Sequence, residues 1–424
     1  MARNVTMRPR FASCLCVLLG ATLAACAAGR STNGGPFLDA GGVESSSDGP
    51  APILDTGMNE AGACLEADGW VEVEPSADYD HDGWAINQGD CNDCDPNTNP
   101  GAFDVAANAI DEDCSGASDD EPAYCDTELQ LTSNDPLDGA RAMGLCRFLD
   151  SGSEDPKNKT WGVLSAEYVL ADRSLGMHYA SHGILPDFGP NVHPQAGTQL
   201  LALSSAAARR PGDVGYRSPI QGDMQTSCTT PAGWPKDFPS CPGSVSTARI
   251  ANDSAALALR LRVPTNAHGF SFKFTFYSTE FPGWVCKQFN DYFLALIGSS
   301  APNPGISDGN LAFDPQGNAI SVNAAFLEVC TPQIAGGKSF PCVQGNGALA
   351  GTGFEASNEE PLGHAATGWL VSQAAVTPGE AIDVMFVIWD SGDHLQGSTV
   401  LIDDFAWIAE PGTAPQTVRV PDPK

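Results

Sequence analysis

Asp78, Asp80 and Asp82 occupy alternate positions in Asp78-Tyr-Asp-His-Asp-Gly-Trp84, with Gly83 directly after the third carboxylate. Alternate side chains of a tight loop converge on one centre, and glycine admits the sharp turn that lets them do so, which is how an oxygen-ligand cation loop opens. A helix-flanked loop of this type would close on a bidentate Glu at its twelfth position. Gly89 stands there, and no helical pattern lies on either side. The carboxylates continue instead with Asp90, Asp93 and Asp95 in Gly89-Asp-Cys-Asn-Asp-Cys-Asp-Pro-Asn97, then Asp104, then Asp111 and Asp113 in Ile110-Asp-Glu-Asp-Cys-Ser-Gly116. An all-oxygen ligand set selects a hard ion, and calcium accepts the high coordination number on offer. These nine aspartates are the candidate calcium ligands, Asp104 the weakest of them, with Trp84 able to add only its carbonyl.

Three further constellations lie in the second half of the chain or close to it. His178 and His182 stand four apart with His193 beyond, the spacing of a zinc pair, but Tyr179 occupies the place of the glutamate that a hydrolytic site needs as general base. They read as surface or turn histidines. Glu280, Asn290 and Asp291 flank aromatic residues beside Cys286 and could hold an ion or a sugar hydroxyl, although Asn-Asp is also ordinary turn chemistry. Asp390, Asp393, His394, Asp403 and Asp404 straddle two apolar runs; a carboxylate pair there could serve glycoside hydrolysis, and an Asp–His pair could orient a base. Structural use, capping a turn or holding a second ion, is the favoured reading. No nucleophile elbow, phosphate loop or dinucleotide fingerprint is present.

The charge distribution separates the elements that carry these groups. The 424 residues contain 21 Lys+Arg and 52 Asp+Glu, a net charge of −31, which excludes nucleic acid as a natural partner. No Lys or Arg occurs between Arg30 and Arg141, whereas 26 acids do, 18 of them in 61–126. That stretch holds eleven large apolar side chains, among them Trp70, Trp84, Phe103 and Ile110. So small an apolar content cannot offset the conformational entropy of ordering the segment together with its self-repulsion. Cations and disulfides must therefore hold it if it is folded. After Cys125 short apolar–polar runs follow one another, broken by Gly, Pro, Asn and Asp: 161–170, 199–203, 255–263, 270–277, 292–297, 382–389 and 399–407. Phe270, Phe272, Phe274 and Phe276 share one strand face. Asp135-Pro136 should cap and open a short helix through Leu145. The fold class expected is mainly β, an antiparallel β-sandwich of jelly-roll type preceded by a small irregular acidic repeat tied by disulfides and calcium.

The N-terminus has the pattern of an export signal, with Arg3, Arg8 and Arg10 before the apolar run 11–23, which is too short to span a bilayer. Leu23-Ala-Ala-Cys26 resembles a bacterial lipobox, and the resemblance implies lipidation at Cys26 and, with no Asp following, an outer-membrane, surface-exposed address. Of the eleven cysteines beyond Cys26, an oxidised compartment would pair most, and the odd count leaves at least one over. Short closures Cys125–Cys146, Cys228–Cys241 and Cys330–Cys342 are the expected pairs, with Cys286 unassigned. The domain plan is a signal peptide at 1–25, a flexible Gly/Ser/Asp-rich linker at 26–63, the acidic repeat at 64–122, the β-domain at 123–410 and a frayed tail at 411–424.

The run of motifs from Asp78 to Gly116 resembles the MopE-type metal-binding repeat of bacterial surface proteins and is similar to the calcium-rich, disulfide-tied thrombospondin type 3 repeat. It departs from the first in having Ala106 where a cysteine is usual and Cys94 as an extra one. Further on, Phe270-Ser-Phe-Lys-Phe-Thr-Phe-Tyr277, Phe289-Asn-Asp-Tyr-Phe293, Asn310-Leu-Ala-Phe-Asp314, Phe326-Leu-Glu-Val-Cys330, Thr367-Gly-Trp-Leu370, Trp389-Asp-Ser-Gly-Asp393 and Ser398-Thr-Val-Leu-Ile-Asp-Asp-Phe405 resemble the choice-of-anchor L domain in order, over about 125–407. That resemblance implies an extracellular β-domain attached by one of several anchors, with no set ligand or activity. The expectation is a lipid-anchored surface protein whose calcium-bound stalk presents a non-catalytic β-sandwich that binds a glycan or protein. The alternatives are an extracellular glycan hydrolase and a purely structural envelope protein.

Overall fold

The computed structural model describes residues 63–66, 69–120, 124–150, 160–246, 248–355 and 363–420. The expected signal peptide, Cys26 and the expected linker up to residue 62 lie outside the described residues. All described residues fall within one compact unit, Ile53–Lys424.

In chain order the strands are β1 (Ala63–Glu66), β2 (Gly69–Glu72), β3 (Gly162–Val169), β4 (His182–Leu185), β5 (Leu200–Ser204), β6 (Ser227–Thr229), β7 (Ile250–Arg262) and β8 (Gly269–Ser278). They continue with β9 (Asn290–Gly298), β10 (Gln333–Ala335), β11 (Lys338–Phe340), β12 (Ala365–Ala366), β13 (Leu370–Ala375), β14 (Ala381–Ser391), β15 (Ser398–Ile408) and β16 (Gln416–Arg419). Two antiparallel sheets form the sandwich. One has the order β16-β13-β8-β15-β5-β4, with β12 also on β8; the other has the order β3-β7-β14-β9, with β6 also on β7. The chain changes sheet from β7 to β8 to β9 and again from β13 to β14 to β15, the alternation of a jelly-roll-like sandwich.

The periodicity of β8 accounts for the core. Phe270, Phe272, Phe274 and Phe276 are fully buried between the sheets and meet Leu257, Leu259 and Leu261 of β7, Phe293 of β9 and Phe386 and Ile388 of β14. Phe272 stands edge-on to Phe386 at 4.9 Å between ring centroids, the T-shaped arrangement that a ring quadrupole favours. The outer faces are covered as well. Trp234 and Phe238 lie over Tyr292 and Trp389 on one sheet, and Phe188, Phe354 and Val329 lie over Tyr277 and Leu401 on the other. Strands expected to be half-buried are therefore buried on both faces, because long loops fold back over them.

The helix α1 (Pro136–Arg141) starts as expected, with Asp135 Oδ1 accepting the Leu137 N–H at 3.0 Å. It stops three residues short of Gly144, which takes φ +90 and turns the chain. The tail is also not frayed throughout: β16 pairs with β13 and closes that edge of the sheet, Val371 lying opposite Val418.

The acidic segment does not project as a stalk. It lies against the turn between β7 and β8, where Asn266 brackets Phe103 by accepting its N–H (3.0 Å) and donating to its carbonyl (2.8 Å). The Trp161 indole N–H donates to the Ala102 carbonyl at 2.6 Å, and Thr265 donates its hydroxyl to Asn99 Oδ1 at 2.7 Å.

Candidate functional site

Within the acidic module each loop aspartate uses one oxygen to fix the backbone. Asp78 Oδ2 accepts the Gly83 N–H (3.0 Å), Asp80 Oδ1 the Asp82 N–H (3.1 Å), Asp82 Oδ1 the Trp84 N–H (2.6 Å), Asp90 Oδ1 the Asn92 N–H (2.8 Å) and Asp93 Oδ1 the Tyr79 N–H (2.8 Å). Gly83, at φ +96, supplies the left-handed turn that brings the first three together. The second oxygen of each, Asp78 Oδ1, Asp80 Oδ2, Asp82 Oδ2, Asp90 Oδ2 and Asp93 Oδ2, is buried without a hydrogen-bond partner. These aspartates form two adjoining centres, Asp78–Asp80–Asp93 and Asp80–Asp82–Asp90, in each of which one carboxylate oxygen per residue lies within 4.8 Å of the others. Asp80 belongs to both. Burial, reinforced by the neighbouring carboxylates, raises the proton affinity of Asp80 and pushes Asp82 and Asp90 up to about 7. Such a grouping can take protons or a hard cation; a buried carboxylate with neither is costly.

Asp104, Asp111 and Asp113 also converge within 4.8 Å, but their oxygens are engaged. Asp104 accepts N–H groups of Glu112, Asp113 and Asp120. Asp111 accepts those of Ser115 and Gly116, and Asp113 lies 3.9 Å from Arg147. This group organises a turn. Asp95 stands outside all three, accepting from Asn97. Trp84 lines a cavity with His81, Pro96, Arg262 and Val263. The sequence reading missed Glu112, which is buried and accepts from Val105 and Asn108. Two disulfides clamp the module, Cys64–Cys94 and Cys91–Cys114.

The constellations around 280–291 and 390–394, read separately in the sequence, meet at the far end of the sandwich. Asp291 of β9 and Asp390 of β14 are directly opposite each other, so their side chains share a face. Glu280 Oε2 accepts the Asp291 N–H at 2.9 Å. All three residues are at least 97% buried. Burial comes first among the causes that raise their proton affinity; repulsion from neighbouring carboxylates, Asp393 included, adds to it, while hydrogen bonds from Ser205 and Ser398 oppose it at Asp291. Glu280 lines a cavity of about 270 Å³ with Trp284, Phe289, Asp393, Leu395 and Gln396, where the Trp284 indole N–H donates to Gln396 Oε1. A second cavity, of about 320 Å³, adjoins it at Phe289 and Asp393 and reaches His394. His394 Nδ1 lies 2.8 Å from Asp253 Oδ2 and 3.7 Å from Asp223 Oδ1. Neither aspartate is within a hundred residues of His394 in sequence, so no spacing signal pointed to this trio.

The remaining candidates have other duties. Asn290 is an internal cross-link that opens β9, donating to the Lys287 carbonyl and accepting from Asn323. Asp403 lies midway along β15 and accepts from Gln195 and Ala196, while Asp404 pairs with Lys273 at 2.6 Å. The three histidines do not converge. His182 is buried against Tyr168, holds the Ser133 carbonyl at 2.9 Å and is pushed down to about 4 by burial. His178 Nδ1 accepts from Ala180, and His193 is exposed.

Cys125–Cys146 and Cys330–Cys342 are bonded. The expected Cys228–Cys241 bridge is not formed: Cys241 pairs with Cys286 across 45 residues, and Cys228 is free. The reason is that Cys228 sits on β6, held opposite Ala251 of β7, whereas Cys241 packs beside Cys286 under the loop that covers Tyr292.

Residues 219–406, the part of the chain that holds β7 to β15 and the distal carboxylates, match the family model of the Choice-of-anchor L domain. Such domains occur in exported proteins anchored at the cell surface, and among the described residues no helix is long and apolar enough to cross a membrane. No curated protein gives a significant match. Among solved structures, the enzymatically active domain of tailspike protein 4 from bacteriophage CBA120 aligns at 11% identity and a TM-score of 0.18, over 61% of this chain and 20% of that one. So low a score carries no argument about fold or activity.

Proposed function

We propose that the protein is a lipid-anchored surface protein in which a calcium-loaded acidic module forms the base of a non-catalytic, ligand-binding β-domain. One observation carries the calcium: five aspartates that converge on two centres each keep one buried oxygen without a hydrogen-bond partner in a segment that has no Lys or Arg. Calcium supplies the positive charge that the sequence omits, and the two disulfides hold the loop ready for it. The lipid anchor rests on the Cys26 motif, and the surface address on the anchor and the matched domain together. Binding rather than catalysis rests on the distal end, where Trp284, Phe289 and Asp393 line two adjoining cavities; a glycan or a protein segment would suit that surface.

Calcium titration into chelator-stripped protein should raise the melting temperature in a saturable manner, whereas magnesium at equal concentration should do less because Mg²⁺ demands near-octahedral geometry and dehydrates reluctantly. An unchanged melting temperature would remove the calcium reading. Screening polysaccharides for turnover separates binding from the hydrolase alternative: a glycan that is bound and not cleaved favours the binding domain, and one that is cleaved favours the hydrolase.

A further inference from the structure

We propose that Asp223, Asp253 and His394 form a transition-metal site of zinc type that fastens the turn between β14 and β15 to the start of β7. The three come from separate parts of the chain: Asp223 from the loop ahead of β6, Asp253 from β7 itself and His394 from the turn after β14. His394 Nδ1 lies 2.8 Å from Asp253 Oδ2 and 3.7 Å from Asp223 Oδ1, and one ligand atom of each residue lies within 4.8 Å of the others. Zinc binds imidazole nitrogen and carboxylate oxygen at about 2.0–2.2 Å, so two ligands of a tetrahedral ion stand roughly 3.4 Å apart. The two distances from Nδ1 bracket that value. Asp253 is turned toward the histidine by a bulge in β7: pairing with β14 passes from Ile388–Ala255 to Asp390–Asn252, and Asp253 takes φ +48.

The donor set and the charge balance point to an ion. An imidazole nitrogen joined by two carboxylates suits zinc, whereas the acidic module offers oxygen alone. Asp253 is fully buried, and a buried carboxylate needs a positive partner. Among the described residues no Lys or Arg forms an ion pair with Asp253 or Asp223; Arg217 reaches only the backbone carbonyl of Asp223, at 3.2 Å. A protonated histidine offsets half of the charge of two aspartates, and a divalent ion beside a neutral imidazole offsets all of it. Both carboxylates are also held from behind. The Thr226 N–H donates to Asp253 Oδ1 at 2.9 Å and leaves Oδ2 to His394, and the Gln225 N–H donates to Asp223 Oδ1 at 2.7 Å. Outer hydrogen bonds of this kind orient ligating groups. The hydroxyl oxygen of Thr226 is itself buried without a hydrogen-bond partner, so it is available to a water completing the ion's coordination. The ion sets the distal rim, because Asp393, Leu395 and Gln396 on either side of His394 line the two cavities there.

The rival account is a plain Asp–His–Asp ion pair that binds no metal. Equilibrium dialysis of the full mature chain against micromolar Zn²⁺ at neutral pH distinguishes them, with calcium in excess to occupy the acidic module and with Cys228 alkylated so that its thiol cannot contribute. Wild type should retain one zinc more than His394→Gln, whose amide can still donate to Asp253, and zinc should raise the melting temperature of wild type alone. Equal zinc counts in wild type and in folded His394→Gln would overturn the proposal and leave the ion pair, any zinc held by both being adventitious. Should His394→Gln show no cooperative melting transition, Asp223→Asn, on the half-exposed loop, is measured instead and must show the same one-ion deficit. The difference in zinc count does not depend on whether the acidic module takes calcium, so either site can fail without the other.

Discussion

Asp80→Asn offers the sharpest test of the acidic module, because the substitution should act in opposite directions with and without calcium. Asp80 faces four carboxylates, those of Asp78 and Asp93 in one centre and of Asp82 and Asp90 in the other, within 4.8 Å. At an effective dielectric of about 20, a fully ionised pair at that separation repels by about 3 kcal/mol. Partial protonation reduces this, so removing the Asp80 charge should stabilise the calcium-free protein by up to about 3 kcal/mol, or about 6 °C at roughly 2 °C per kcal/mol. With calcium the sign reverses. Asp80 belongs to both centres while its Oδ1 accepts the Asp82 N–H, so an amide that keeps that bond at Oδ1 must turn an NH₂ group toward the ions. At least one of two ions is lost, and an ion present at a hundred times its dissociation constant contributes about 2.7 kcal/mol. Melting followed by near-ultraviolet circular dichroism across a calcium series should therefore show the wild-type and variant midpoints crossing. A variant destabilised equally at all calcium concentrations would refute the reasoning, since it would assign Asp80 to local backbone support alone.

Other outcomes follow from the same geometry. Because burial lifts Asp82 and Asp90 to about 7 in the folded state, well above their unfolded values, the calcium-free module binds more protons folded than unfolded. Its stabilisation by those protons is complete below about pH 4 and is lost as pH rises through about 7; calcium should restore it at high pH with release of protons, measurable by titration in buffers of different ionisation enthalpy. Asn266→Ala removes both hydrogen bonds to Phe103 and should cost about 1–3 kcal/mol, seen as the module melting ahead of the sandwich in calorimetry; a single unshifted transition would argue against docking through this contact. Alkylation of unreduced protein should label Cys228 and leave Cys241 and Cys286 untouched, whereas labelling of Cys286 would restore the short Cys228–Cys241 closure.

What could be read in the sequence was what repeats locally. The alternating phenylalanines of β8 give the core face directly, and the Asp78–Asp80–Asp82 spacing with Gly83 gives one half of the paired centres. The other half, Asp90 and Asp93, is recognisable by composition, but only the folded loop separates them from Asp95, one turn away and solvent-facing. Contacts set by topology leave no local trace. Asp390 meets Asp291 because β14 pairs with β9, and Asp253 reaches His394 because β7 lies beside β14. Cys241 passes over the nearer Cys228 because strand pairing holds Cys228 elsewhere. The position of the acidic segment was misread for the same reason: nothing in its own residues announces that Phe103 will be gripped by Asn266.

The docking of the module also gives the molecule a direction. It sits by Val263, Thr265 and Asn266, where β14 begins, while the cavities lined by Phe289 and Asp393 open where β14 ends. Eleven residues of extended chain separate the two, roughly 35 Å. The strand β1, Ala63–Glu66, belongs to the module, so a lipid anchor at Cys26, as proposed above, would hold the sandwich by its foot and leave the aromatic and acidic rim as the tip facing the medium.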